Sequence, residues 1–254
     1  MISPVQKLAD SKQRFLLSDV AFYGRTLNEY VEMFNFNPDE WEGKRVLDCA
    51  SGPASFAAEA HQAGIKAVAC DPMYVHSAAD LINRAEKDIE LCLSKTKEQR
   101  ELFDLSTCEK DTHYVAEKQR ALFNFSRDYS TGKEQGRYIN GSLPHLPFPD
   151  NRFDLVLSAH LLFVYATKDN GGLFNEERFP LSFHIEAIKE MIRVSSHELR
   201  IYPLKGPNRS NHALLSAVLE TLQKMPVEFE LVDVSYKDIA AATQMLKIKK
   251  LSGV

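Results

Sequence analysis

The sequence lacks the features that mark a membrane protein, a metalloprotein or a nucleic-acid-binding protein. Only four of its 254 residues are cysteine, and no two have the Cys-x-x-Cys spacing of a zinc site. The longest apolar run, residues 159–166, is too short to span a bilayer, and residues 1–15 lack the apolar stretch of a signal peptide. The formal net charge of -4 gives no general attraction to nucleic acid or an anionic membrane. We therefore expect a cytoplasmic protein with no metal, no nucleic-acid partner and no membrane contact.

Linkers and repeats are also missing. No internal repeat, low-complexity tract or Pro/Gly-rich stretch divides the chain, and no proline occurs between Pro72 and Pro144. The composition, 44% hydrophobic and 26% charged, is that of an ordinary soluble globular protein. Single α/β domains commonly reach this length, so we expect one domain over residues 1–254.

Residues 45–72 predict a strand, a tight turn, a helix and a second strand. The first strand is predicted over residues 45–48 and the second over residues 66–70. The helix between them is predicted to begin at Pro53 and to end at Gly64, because proline favours the first helical position and glycine the position after the last. Short apolar strands of this kind are typical of a buried parallel sheet.

The rest of the chain predicts helices before this unit and a helical insert after it. Apolar residues recur at helical spacing over residues 5–35 and 73–136. The stretch 73–136 is too long for one crossover helix, since a whole βαβ unit needs roughly 30 residues. The charge-rich part of this stretch, residues 84–120, is interpreted as a solvated helical face. Further strands are predicted at 137–140, 153–160, 198–204, 227–236 and 245–250, and helices at 182–194 and 211–225. The last two strands lack a full helix between them and should be antiparallel, which gives a mostly parallel sheet with one reversed strand near its edge.

The first turn has an unusual composition for a nucleotide-binding turn. Its glycine positions are filled by Ala50, Gly52 and Ala54, and an acid, Asp48, ends the strand. A carboxylate at that place would repel a pyrophosphate but could accept hydrogen bonds from an ammonium group. The turn therefore predicts a nucleoside ligand that carries an ammonium group.

Four motifs follow one another along the chain. They are VLDCASGPASF, the acid Asp71 that closes strand two, YINGSLPHLPFPDNRFDLVLSAHLL, and EAIKEMIRVSSHELRIYPL. In these motifs and their spacing, over residues 41–205, the chain resembles the class I S-adenosylmethionine-dependent methyltransferases. The resemblance implies an α/β, Rossmann-like fold with a doubly wound, mostly parallel seven-stranded sheet and one reversed strand. It divides the domain into a helical cap (1–40), a core (41–72 and 137–254) and a crossover helix with a helical insert (73–136).

The resemblance also implies S-adenosylmethionine as cofactor, with S-adenosylhomocysteine as its product. Asp48 would hold the methionine part through its ammonium or a water, Gly52 would let the cofactor lie against the backbone, and Asp71 would accept from both ribose hydroxyls. Leu143, after Ser142, would pack on the adenine. The implied cofactor-binding residues are Asp48, Ala50, Ser51, Gly52, Pro53, Asp71, Pro72, Ser142, Leu143, Ser158, Ala159, Tyr23 and Arg25.

The reacting methyl would lie just past strand four. Ser158, Ala159 and His160 would line it, and His160 is the candidate catalytic base. Arg25, beside Tyr23, is a candidate partner for the cofactor's carboxylate, because arginine binds a carboxylate through two hydrogen bonds. The simpler interpretations are a structural histidine and an exposed arginine.

Several positions depart from the family pattern. Ala50 and Ala54 replace glycines, which is compatible with a negative φ at both. Ser142 replaces an acid that accepts from the adenine amino group, and RVSSHEL has no Pro-Gly-Gly turn, so the loop before strand five should be remodelled. Asp48 could instead cap a helix, and Asp71 could be a simple turn residue.

The function expected is methyl transfer to a small or medium-sized acceptor, by a monomer or homodimer. The alternatives are an NAD(P)-dependent oxidoreductase with a degenerate turn and a non-catalytic protein that binds S-adenosylmethionine or S-adenosylhomocysteine. The N-terminal helices and the insert are expected to cap the acceptor, with aromatic side chains lining an apolar cavity. Those side chains are Phe15, Phe22, Tyr23, Phe103, Tyr114, Phe123, Phe125 and Tyr129.

Overall fold

One mixed sheet of seven strands runs through the protein. The computed structural model describes residues 15–98, 111–207, 213–236, 238–239 and 242–251. The strands are β1 Arg45–Cys49, β2 Lys66–Cys70, β3 Tyr138–Ile139, β4 Phe153–Ala159, β5 Ser195–Tyr202, β6 Val227–Asp233 and β7 Gln244–Lys250. The helices are α1 Leu27–Phe34, α2 Phe56–Gln62, α3 Ala78–Glu98, α4 Asp111–Glu134, α5 Leu181–Val194 and α6 Ala213–Leu222.

The strand order is β3-β2-β1-β4-β5-β7-β6. Strands β1 to β5 run parallel to one another, whereas β7 runs antiparallel to both β5 and β6. The predicted mostly parallel sheet with one reversed strand near its edge is confirmed, as is the antiparallel final pair. This order with β7 reversed is that of the class I methyltransferase fold.

The sheet separates two hydrophobic cores because successive side chains of a strand point to opposite faces. Val46 belongs to the core on one face and Leu47 to the core on the other, and both are fully buried. Helices α1 to α4 contribute Tyr30, Phe56, Leu81 and Phe125 to the first core. Helices α5 and α6 contribute Ile188, Met191, Val218 and Leu222 to the second. Helices on both faces are what a buried parallel sheet requires.

The predicted helix over residues 5–35 is wrong for residues 15–26; residues 5–14 lie outside the described part. Helix α1 begins at Leu27, where Thr26 and Glu29 form a capping box. The segment before it, residues 15–26, is not helical because other elements accept its backbone donors. The Leu17 amide donates to the Leu173 carbonyl, and the Phe22 amide to the Asp88 carboxylate. The spacing of its apolar residues therefore reflects burial in an irregular segment.

Helix α2 begins at Phe56, so the predicted start at Pro53 is wrong. Residues 50–55 are occupied by the turn after β1, in which Gly52 has a φ of +56°. The prediction of helices over residues 73–136 is confirmed by α3 and α4, and residues 99–110 lie outside the described part. The remodelled loop before strand five proves to be a direct junction, since α5 ends at Val194 and β5 begins at Ser195.

Two further observations concern the helices. The predicted cap of helix α6, Asn211, lies outside the described residues. Among the helices that the structure describes, none is both long enough and apolar enough to cross a membrane.

Candidate cofactor and acceptor site

A cavity of about 400 Å³ opens at the carboxyl ends of β1, β2 and β4. Ligands of open α/β sheets bind at this edge, and the volume lies within the range of small-molecule sites. The turn after β1, Asp71 after β2 and His160 after β4 all line it. Most of its wall is apolar and includes Phe15, Phe22, Leu161, Tyr165, Phe179 and Phe183.

The turn after β1 forms one end of the cavity through Ala50, Ser51 and Gly52. The Ser51 amide donates to the Cys70 carbonyl at 3.1 Å, and the Gly52 amide donates to Asp71 Oδ2 at 2.8 Å. Gly52 has a positive φ, whereas Ala50 and Ala54 do not, in agreement with the alanines at those positions. Both amides of the turn are therefore already paired.

Asp71 lies at the end of β2 and faces the cavity. Its Oδ1 accepts from the Met73 amide at 2.9 Å, while its Oδ2 accepts from Gly52. Burial raises the pKa of Asp71 to about 6, although the two backbone hydrogen bonds oppose the rise. Each carboxylate oxygen retains a further lone pair, so the side chain is fixed in place and can still accept from a ligand. Pro72 and Met73 line the cavity beside it.

Asp48 is fully buried and is not among the residues that line the cavity. Its Oδ2 accepts from Tyr30 Oη at 2.8 Å and from Ser51 Oγ at 2.6 Å. Burial raises the pKa of this carboxyl to about 7. Ser51 and Tyr30 both line the cavity, so Asp48 lies behind them. The prediction that Asp48 holds the methionine part of a cofactor, through its ammonium or a water, stays a prediction.

Two other predicted site residues also lie away from the cavity. The backbone of Pro53 packs against Gly24, where an added Cβ would lie 2.1 Å from the Pro53 carbonyl oxygen. Ser158 is buried within β4, and among the described residues its hydroxyl has no hydrogen-bond partner. By contrast, Ser142, Leu143 and Ala159, which were predicted to bind the cofactor, line the cavity.

A second region of the cavity wall is polar and is formed by Arg25, His160 and Asp238, which we call the Asp238 cluster. Asp238 Oδ2 accepts from Arg25 Nη2 at 2.9 Å and lies 2.9 Å from His160 Nε2. Each of the three side chains is at least nine-tenths buried. Arg25, predicted to bind the cofactor's carboxylate, is thus already paired with a carboxylate of the chain. Tyr23 also lines the cavity.

The charges of the Asp238 cluster stabilise one another. Burial and then the positive charge of Arg25 lower the pKa of His160 to about 4, so its ring is neutral at neutral pH. Burial alone would raise the pKa of Asp238, but His160 and Arg25 hold it well below its usual range. The cluster therefore contains a guanidinium, a carboxylate and a neutral imidazole.

A buried ion pair joins helix α4 to helix α1 near this end. The Nζ of Lys118, a fully buried residue, donates to Glu29 Oε1, which also accepts from Tyr236 Oη. The same Nζ lies 5.2 Å from the ring centroid of Tyr23 and 5.0 Å from that of Tyr114, and these two tyrosines share a hydrogen bond of 2.6 Å. The insert is thereby fixed to the segment before α1.

The aromatic residues predicted to cap an acceptor occupy three kinds of position. Phe15, Phe22, Tyr23 and Tyr114 line the cavity. Phe125 and Tyr129 belong to the first core, where they pack against Tyr74 and Tyr138. This part of the insert is therefore not a separate lid. Phe123 is 57% exposed, and Phe103 lies outside the described residues.

Three residues of this end were missed by reasoning from the sequence: Asp238, Glu29 and Lys118. Glu29 could have been found from the capping-box spacing with Thr26. Lys118 lies in the charge-rich stretch interpreted as a solvated face, an interpretation that is wrong at this position because the side chain is fully buried. Asp238 lies between the last two strands, and no local pattern marks it.

Comparisons with known proteins give the following. No family model matches the chain. It is 29% identical over 218 residues to an uncharacterised protein of Methanocaldococcus jannaschii, covering 84% of this chain and 92% of that protein. It is similar to the magnesium protoporphyrin IX methyltransferase of Synechocystis with bound S-adenosylmethionine (TM-score 0.45, 11% identity, 84% of this chain and 73% of that one). It is also similar to a TehB-like S-adenosylmethionine-dependent methyltransferase of Corynebacterium glutamicum (TM-score 0.44, 12% identity, 97% and 93%).

These identities and TM-scores are too low to assign an activity. The strand order, in which β7 is antiparallel to its neighbours, is observed in this structure itself and does not depend on those comparisons. By that order the chain has the class I methyltransferase fold.

Proposed function

We propose that the protein transfers a methyl group from S-adenosylmethionine to a small or medium-sized acceptor. The observation that carries the proposal is a cavity that contains two polar regions of different chemistry. One is the β1 turn with Asp71, and the other is the Asp238 cluster. Most of the remaining wall is apolar, so one cavity can bring a cofactor and an acceptor together.

The residues at the turn suit the cofactor. Asp71 is held by two backbone amides and keeps lone pairs for two ribose hydroxyls. Leu143 and Met73 supply apolar surface for an adenine ring, with the Ser142 hydroxyl beside them. The turn has a carboxylate beside it, and its Ser51 and Gly52 amides are already paired. It therefore also suits a ligand with a positive charge and no phosphate.

The same turn argues against a dinucleotide. A pyrophosphate binds to free backbone amides at such a turn, but the Ser51 and Gly52 amides are already paired.

The chain's part in the reaction would be alignment and exclusion of water. Bound S-adenosylmethionine supplies an already activated methyl group. Gly52 and Asp71 would fix the position of that group; Ala159 at the end of β4 and Leu161 just after it also line the cavity. Phe22, Tyr23 and Tyr114 also line the cavity, and their rings would help to keep water from the reacting atoms.

Calorimetry with S-adenosylhomocysteine tests the proposal. Asp71→Ala should weaken binding by about 2–3 kcal/mol, since the ribose hydroxyls lose a charged acceptor. Asp39→Ala, at an exposed position in the loop before β1, is the matched control and should bind like the parent. Unchanged affinity of Asp71→Ala, or saturable NADH binding that S-adenosylhomocysteine does not displace, would refute the placement. Binding without methyl release to any metabolite extract would favour the non-catalytic alternative.

A further inference from the structure

The Asp238 cluster contains three buried polar atoms that have no hydrogen-bond partner among the described residues. They are Arg25 Nε, His160 Nδ1 and Asp238 Oδ1. Such atoms are costly to leave unpaired in a protein interior. All three residues line the cavity, so a bound molecule is the natural partner for them.

The hydrogen bond to Asp238 determines the tautomer of His160. A carboxylate can only accept, so Nε2 must carry the proton of the neutral ring. The other nitrogen, Nδ1, then has a free lone pair. The low pKa of His160 agrees with this neutral form. Nδ1 is therefore a hydrogen-bond acceptor and a potential base.

The ring of His160 is also held in position. It packs edge-on against Tyr202 and Tyr236, with centroid distances of 5.4 Å and 6.4 Å. Its backbone amide donates to the Tyr202 carbonyl at 2.7 Å. A histidine fixed by two rings, a carboxylate and its own backbone needs no rearrangement to receive a proton.

The unpaired atoms also indicate what kind of group binds there. A hydroxyl can both donate, to His160 Nδ1 or Asp238 Oδ1, and accept, from the Arg25 Nε–H. An ammonium group only donates, so it could pair with the two acceptors but would leave the Arg25 Nε–H without a partner. The guanidinium would also stabilise negative charge that develops on an oxygen. The surrounding wall is apolar and aromatic, with Phe15, Phe179 and Phe183 among its members.

We propose, on the basis of the proposed function, that the acceptor is an aromatic or similarly apolar molecule with a hydroxyl group, and that His160 is its base. The hydroxyl proton passes to His160 Nδ1 as an oxygen electron pair forms the new bond to the methyl carbon. The carbon–sulfur bonding pair stays on sulfur, which becomes a neutral thioether, and the imidazolium is stabilised by Asp238. Asp238 is a positioning residue, because it acts through the tautomer of His160.

Nitrogen NMR on protein with labelled histidine tests the positioning role. With S-adenosylhomocysteine bound, the parent should show His160 as the Nε2–H tautomer. Asp238→Ala should show a mixture of tautomers, and Asp238→Asn, whose amide oxygen can still accept, should restore the Nε2–H form in part. Asp233→Asn, at an exposed position on β6, should match the parent. An Nδ1–H tautomer in the parent, or an unchanged tautomer in Asp238→Ala, would overturn the role of Asp238.

Two small probes test the acceptor class. 4-Nitrophenol carries the proposed hydroxyl, and 4-nitroanisole has the same ring with that oxygen methylated. Protein saturated with S-adenosylhomocysteine should bind the phenol about tenfold or more tightly than the anisole, at a pH where the free phenol is protonated, because only the phenol donates to Nδ1. His160→Phe keeps a ring but no nitrogen and should abolish this preference, whereas His61→Gln on the exposed face of α2 should retain it.

Binding of S-adenosylhomocysteine separates the two proposals. Each variant is first titrated with it, which also shows that the variant is folded. If the parent does not bind S-adenosylhomocysteine, the proposed function fails. If it binds but does not prefer the phenol, or if His160→Phe keeps the preference, the proposed acceptor class and base are wrong while the proposed function stands.

Discussion

The two ends of the cavity satisfy their polar groups in opposite ways. At the β1 turn, both oxygens of Asp71 accept from backbone amides of the chain itself. In the Asp238 cluster, each of the three side chains has one buried polar atom without a partner among the described residues. At the turn the acid that lines the cavity is therefore held by the chain itself, although Asp48 behind it has one buried oxygen, Oδ1, without a partner among the described residues. In the cluster, all three cavity-lining side chains have hydrogen-bonding capacity to offer a ligand.

The two ends also differ in how they are assembled. The turn is formed by residues 48–73, which are close in sequence. The Asp238 cluster combines a residue before α1, one after β4 and one between β6 and β7. A site built from such distant segments depends on the packing around it, which includes the Lys118–Glu29 pair. The comparison predicts that changes to the distant end affect the stability of the whole protein more strongly than changes at the turn.

The largest effect is expected at Lys118. Lys118→Met should lower the free energy of unfolding by about 3–5 kcal/mol, because the carboxylate of Glu29 would remain buried without its cation. Arg120→Met, on the same helix but at an exposed ion pair with Glu117, should cost at most about 1 kcal/mol. Both values are measured by urea unfolding.

A double variant sharpens this prediction. Lys118→Met combined with Glu29→Gln removes both charges, so it should be more stable than Lys118→Met alone. If Lys118→Met instead unfolds like the parent, the ion pair does not hold α4 to α1, and the proposed dependence of the Asp238 cluster on its surroundings is wrong.

A smaller effect is expected where the two ends meet, at Gly24. An added Cβ would lie 2.1 Å from the carbonyl oxygen of Pro53, so Gly24→Ala should separate the segment before α1 from the turn. The expected cost is about 1–3 kcal/mol of stability, together with weaker binding of S-adenosylhomocysteine. Gly136→Ala is strained by its φ of +77° but has no atom within 4 Å of its Cβ; it should lose stability and keep its cofactor affinity. If Gly24→Ala and Gly136→Ala bind S-adenosylhomocysteine with equal affinity, the contact between Gly24 and Pro53 does not support cofactor binding.

The end of the cavity at the turn was largely predictable from the sequence. Strands, helices and the acids at strand ends produce local patterns, and parallel strands place their carboxyl ends at one edge. The candidates Gly52, Asp71 and Leu143 were identified there from the resemblance to the methyltransferase motifs. The burial of Asp48 behind Ser51 could not be predicted, because it depends on the contact with Tyr30 from α1.

The Asp238 cluster could be predicted only in part. Arg25 and His160 were identified as candidates, but their common partner was not, since Asp238 is 78 residues from His160 along the chain. The segment before α1 was mistaken for a helix because buried residues of an irregular segment can recur at helical spacing. Its hydrogen bonds to residues such as Leu173 and Asp88 are tertiary contacts that no periodicity reveals.

The last expected effect is on the pH dependence of stability, and it arises at the turn. Burial raises the pKa of Asp48 to about 7, whereas an aspartate in the unfolded chain has a pKa of about 3.9. Between these values the folded protein binds the proton and the unfolded chain does not. Asp48 should therefore make the protein less stable as the pH rises from about 4 to about 7, by at most about 1.4 kcal/mol per pH unit.

Asp48→Asn isolates this contribution from those of other groups. His160 acts in the opposite direction, since burial lowers its pKa to about 4 and it favours folding increasingly as the pH rises toward its unfolded value. The useful quantity is therefore the stability of Asp48→Asn minus that of the parent, measured by urea unfolding at several pH values. The asparagine can still accept from Tyr30 and Ser51 but does not titrate, so the difference should become more positive from about pH 4 to about pH 7 and then level off. A difference that does not change with pH would mean that Asp48 stays ionised behind Ser51, and that the turn end carries a negative charge available to a cationic ligand throughout this range.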